Sequence, residues 1–61
     1  MYCVRFICRD HGPNEEYFYN QQNDAEQHLK LFHDNDSDLY CQIELLLTGG
    51  ALEIPLMMLH F

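Results

Sequence analysis

Residues 23–34, NDAEQHLKLFHD, set Ala25, Leu29 and Phe32 at helical spacing, with Leu31 widening the apolar stripe. Glu26, Gln27, Lys30 and His33 fall mostly elsewhere around the turn. Asn23 with Glu26 three residues on resembles a capping box, and Asp24 and Glu26 suit the positive end of a helix. The polar run DNDSD, residues 34–38, then closes the helix, because Asp, Asn and Ser compete for its backbone hydrogen bonds.

On both sides of this segment the period changes to two. In YCVRFICRD, from residue 2, Tyr2, Val4, Phe6 and Cys8 share one face; Cys3, Arg5, Ile7 and Arg9 share the other, which leaves Cys3 partly exposed. Gly12 and Pro13 make a turn into EEYFYN, residues 15–20, where Tyr17 and Tyr19 face one way and Phe18 the other. After the helix, LYCQIELLL, residues 39–47, puts Leu39, Cys41, Ile43, Leu45 and Leu47 on one face and Tyr40, Gln42, Glu44 and Leu46 on the other. A Gly-Gly turn at residues 49–50 leads into ALEIPLMMLHF, residues 51–61. Strict alternation there puts Leu52, Ile54, Leu56 and Met58 on one side and Met57, Leu59 and Phe61 on the other. Pro55 cannot donate to a ladder, so this last strand either lies at an edge, the favoured reading, or breaks at Pro55 into a short helical tail with Pro at its first position.

The order β-β-α-β-β fills residues 1–61 as a single α+β domain, an antiparallel sheet with one helix packed on one face. One helix covers one face of four short strands. The other, with Ile7, Leu46, Met57, Leu59 and Phe61, is too apolar to stand in water, which predicts first a homodimer through that face or the last strand and second a dedicated protein partner. Pro55, Met57, Leu59 and Phe61 are the expected oligomer interface.

The formal charge is -7 and is unevenly placed. Between Asp10 and Asp38 eight acids stand against Lys30, while Arg5 and Arg9 lie before them. Such a chain repels nucleic acid and anionic membranes and attracts basic proteins. With three basic residues and no stripe of them, direct nucleic-acid binding is not expected. An odd set of three cysteines without a paired framework, no leader pattern and no long apolar run predict a reduced, soluble, cytoplasmic protein.

Several constellations lead nowhere. Asp34, Asp36 and Asp38 start like a calcium loop, but its sixth and twelfth positions are Leu39 and Leu45. Cys3, Cys8, His11 and Cys41 have no zinc-ligand spacing. No nucleophile-base pair or phosphate loop stands out, so neither enzyme activity nor a metal or cofactor is expected.

What remains is a binding surface. Glu15, Glu16, Asp24, Glu26, Asp34, Asp36 and Asp38 are the expected acidic face, with Tyr17, Tyr19 and Tyr40 as rigid aromatic anchors, ringed by Glu15, Glu16 and Glu44. This describes a small acidic protein-interaction module, an inhibitor or adaptor for a basic protein surface. In size, acidity and one-helix α+β pattern the chain resembles small phage or mobile-element inhibitors such as the anti-CRISPR proteins, several of which imitate the charge of DNA. That resemblance is one of character over the whole chain and assigns no residue a role. The alternative expectation is a homo-oligomeric structural module whose acidity serves solubility alone.

Overall fold

In the computed structural model, which describes residues 1–10, 12–35 and 39–60 and the side chains of all of these except 32–35, four strands and one helix follow the expected order. They are β1 (Tyr2–Cys8), β2 (Glu15–Tyr19), α1 (Gln22–Asn35), β3 (Tyr40–Gly49) and β4 (Leu52–His60). The strands form one antiparallel sheet in the order β2-β1-β3-β4. Two hairpins therefore lie side by side, with β1 and β3 as the central pair. The helix joins β2 at one edge to β3 near the other, and packs across β2, β1 and β3.

Core formation follows from the alternation. Val4 and Phe6 of β1 lie opposite Leu45 and Ile43 of β3, and all four are buried against Ala25 and Leu29 of α1. Each large apolar side chain hidden this way contributes roughly 1.5–3 kcal/mol. Tyr2, Tyr17, Tyr19 and Leu59 pack around this centre. The reading of Phe32 as part of the stripe lies outside the described side chains.

A helix is about 10 Å across and strands sit about 4.8 Å apart, so one helix roofs two or three strands. The fourth, β4, is left out. Of its nine residues only Leu59 is partly buried.

Three details correct the sequence reading. The helix begins at Gln22, and the Ala25 amide donates to the Gln21 carbonyl, so Gln21 stands at the cap and Asn23 is inside the first turn. In the ladder between β1 and β3, Ile7 lies opposite Gln42 but Cys8 lies opposite Tyr40, which leaves Cys41 as an extra residue. This bulge reverses the phase of β3 at its start. Tyr40 turns to the helix side and is 8% exposed, although strict alternation put it with Gln42 and Glu44.

A second bulge acts in the same way. Leu45 lies opposite Met57 and Leu46 opposite Pro55, so Leu56 is the extra residue of β4. Leu52, Ile54, Met57 and Leu59 therefore share the helix side, while Glu53, Pro55, Met58 and His60 share the open side. The expected set of Pro55, Met57 and Leu59 is split across the sheet; Phe61 lies outside the described residues. Gly50 opens the two-residue turn between Gly49 and Leu52 with φ of 59°, a conformation that costs glycine little.

Candidate functional site

The three expected aromatic anchors do converge, on the helix side of the sheet. Tyr2, Val4 and Phe6 lie opposite Tyr19, Tyr17 and Glu15, so both β2 tyrosines rise beside α1, where His28 meets them. The His28 ring lies 4.5 Å from that of Tyr17, 5.5 Å from Tyr19 and 5.4 Å from Phe6. Phe6 packs edge-on to Tyr17 at 5.7 Å and tilted against Tyr40 at 5.1 Å. Such aromatic pairs add about 0.5–1.5 kcal/mol beyond the area they bury.

Polar groups of the cluster are satisfied internally. The Tyr17 hydroxyl donates to Glu15 Oε1 at 3.0 Å, and the Tyr40 hydroxyl donates to the other oxygen of the same carboxylate. Tyr19 Oη shares a hydrogen bond with His28 Nδ1. Burial holds the imidazole below the usual histidine range and, for Tyr19, holds the phenol above its own. Both are neutral near pH 7. Tyr40 is thus a core residue that ties β3 to β2 through Glu15, not a free contact anchor; Tyr17 and Tyr19 keep part of their surface outside.

The acidic set is not brought onto one face. Glu15 points to the helix side, whereas Glu16 lies opposite Arg5 on the open side. Asp24 is exposed in the first turn of α1, and Glu26 is half-buried and accepts from Gln22 Nε2 at 3.2 Å. The Asp34 side chain and all of Asp36 and Asp38 lie outside what is described.

An arrangement absent from the sequence reading occupies the open side. Arg5 of β1 lies directly opposite Glu16 of β2 and Glu44 of β3, with Nη2 3.0 Å from Glu16 Oε2 and Nη1 3.5 Å from Glu44 Oε2. Its Nη2 also reaches Glu53 of β4 at 2.6 Å. Hydrogen bonds to Glu53 hold the guanidinium above its usual value. One cation thus gathers a carboxylate from each of the other three strands. Alternation did place Arg5 and Glu44 on non-core faces, and only the strand order and register turn that into a network.

This network explains a second surprise. The open side was expected to be greasy and Cys3 partly exposed, yet Cys3 and Leu46 are buried, at 0% and 3% exposure. They lie opposite each other, in the row between that of Arg5 and that of Glu53. The Arg5–Glu53 pair bridges those rows, and the Cys3 thiol donates to Glu16 Oε2 at 3.7 Å, which ties it into the same network. Burial and the neighbouring Glu16 push the Cys3 thiol up from its ordinary pKa.

The strand β4 carries five of the nine exposed large apolar side chains among the described residues. Leu52 is 69% exposed, Ile54 49%, Leu56 42%, Met57 36% and Met58 43%. On its helix side a groove of about 280 Å³ is lined by Leu47, Thr48, Gly49, Leu52 and Ile54. A wider, open groove of about 370 Å³ runs beside Tyr19, Asp24, Gln27, His28 and Leu31. Among the described residues no group of three or more His, Cys, Asp or Glu could hold a metal ion, and no helix is long and apolar enough to cross a membrane. No family model, curated protein or solved structure matches this chain.

Proposed function

We propose that this protein is an acidic interaction module that binds a basic protein surface as an inhibitor or adaptor. The observation that carries this reading is the fate of its few bases. Arg5 is engaged by three glutamates, and Arg9 Nη2 donates to the Tyr40 carbonyl at 3.2 Å. Around Arg5 three carboxylates outnumber one guanidinium, and only Arg9, whose bond to a neutral carbonyl leaves its charge in place, and Lys30 stand besides it against the outward-facing acids of a chain with net charge -7. The long-range field is one-sided, which steers basic surfaces toward the chain and nucleic acid away from it.

Asp24 supplies a carboxylate beside Tyr19, Glu26 a second one two positions on in α1, and Glu15 a third that is bonded to Tyr17. Carboxylates so presented take the place of phosphates before a basic channel, the strategy of the nucleic-acid-mimicking inhibitors of phage and mobile elements. Capture from the native host's lysate in a salt series tests this, with the variant Asp24→Lys/Glu26→Lys as control. The expected partner is basic, is released by salt and is not held by the variant. A partner held equally at low and high salt, and by both forms, overturns the proposal.

A homodimer is the second reading, favoured by the bare β4. A protein of this size buries only about 60% of the surface its unfolded chain exposes, so extra burial between copies adds to a thin margin. Mass in solution tests it, and a strict monomer at micromolar concentration overturns it.

A further inference from the structure

We infer that a second copy of this chain covers the helix-side face of β4, and that the two copies meet face to face and not by joining strand edges. This rests on the dimer reading above and assigns it a surface.

The edge itself is poorly made for strand addition. Gly49 and Leu52 close the two-residue turn as a pair bonded to each other, so hydrogen bonding to β3 alternates from there: Leu52 and Ile54 bond inward, Glu53 and Pro55 outward. Pro55 thus turns a nitrogen without hydrogen toward the free edge. One residue further, the bulge at Leu56 breaks the register. Proline and a bulge are the devices by which sheets protect an edge from pairing with another chain.

The helix-side face has no such protection. Leu47, Leu52, Ile54, Leu56, Met57 and Leu59 form or border it, and none carries a charge. The only acid of β4, Glu53, points to the opposite side and is held by Arg5. On a chain of charge -7 an uncharged patch is where an identical chain approaches with least repulsion. Apolar surface without charge is also complementary to itself, as a twofold interface requires. A foreign basic partner would be drawn instead to the carboxylates around α1 and β2.

Area supports the same occupant. The exposed fractions of Leu52, Ile54, Leu56 and Met57 amount to roughly 350–400 Å² per copy, so a twofold pair hides about 700–800 Å² from these four alone, and the helix beside them supplies the remainder of the about 1,000 Å² that a specific interface needs. Because α1 stops at β3, each copy presents a step, with β4 as its floor and the helix as its wall. Two such steps related by a twofold axis close on each other.

The test compares wild type with Ile54→Glu on the helix side and Met58→Glu on the open side, by sedimentation velocity from about 1 to about 100 µM. Both residues are largely exposed, and circular dichroism checks that each variant keeps its fold. A wild-type dimer, a dissociation constant raised at least about tenfold by Ile54→Glu and a change within about threefold for Met58→Glu are the expected result. A dimer weakened by Met58→Glu and not by Ile54→Glu, or by neither, overturns the assignment of the face and leaves the dimer reading standing. A monomeric wild type throughout that range overturns both.

Discussion

Arg5 Nη2 and Glu53 Oε2 lie 2.6 Å apart across the open side of the sheet, joining its second strand to its fourth over the buried Cys3 and Leu46. The link does for this face part of what a second helix would do. The two charged side chains span the row that holds these two apolar ones, and their stems are long enough to shield it.

Removing that cover is expected to expose the thiol. In Glu53→Ala, alkylation of Cys3 followed by mass spectrometry should speed up about five- to tenfold, the factor that ~1 kcal/mol of lost local stability makes. Overall stability should change by less than about 1 kcal/mol, since Glu53 is largely exposed. If Cys3 reacts as slowly in the variant as in wild type, the pair is not its cover.

Arg5 matters more than any one of its partners. Arg5→Met leaves three carboxylates facing one another, and Glu44 is only 14% exposed. The expected loss is about 1–3 kcal/mol in urea unfolding, discounted for the exposure of Glu16 and Glu53. Stability of the variant relative to wild type should recover as pH falls into the carboxylate range and the repulsion is titrated away.

His28 sets a pH dependence of its own. Its folded pKa is below the unfolded value because burial disfavours the imidazolium. The unfolded chain therefore takes up a proton first as pH falls. Stability is full above about pH 6.5, the unfolded pKa, and declines as pH drops from there toward the folded pKa. His28→Gln should flatten this part of a stability-pH profile measured by thermal melts, while lowering stability at pH 7 through its loss of contact with Phe6, Tyr17 and Tyr19.

The two proposed associations should respond to salt in opposite directions. Binding to a basic surface weakens as salt screens the attraction, whereas the apolar contact between two chains of charge -7 tightens as salt screens their repulsion. Light scattering and partner binding, followed together from about 50 to about 500 mM salt, should therefore cross. Parallel trends would show that one surface serves both.

Much of the architecture was legible because it depends on local pattern. Period two in residues 2–8 and period 3.6 in residues 25–29 need no knowledge of neighbours, and the core of Val4, Phe6, Leu29, Ile43 and Leu45 follows from them. The edge position of β4 was likewise readable from Pro55. Both errors of facing came from bulges, at Cys41 and at Leu56, where one extra residue reverses every later side chain. A bulge is chosen by how two strands fit, so neither strand's own pattern announces it.

The acidic face illustrates the same limit. Charge is a property of composition, so the sequence by itself determined that this protein is acidic, α+β and apolar along its last strand. Which acids stand together was decided only by the sheet. Adjacent Glu15 and Glu16 are separated by its thickness, while Glu16, Glu44 and Glu53, up to 37 positions apart, meet on Arg5. Pairing across strands sets these distances, and it depends on strand order and register, quantities that exist only once the chain has closed on itself.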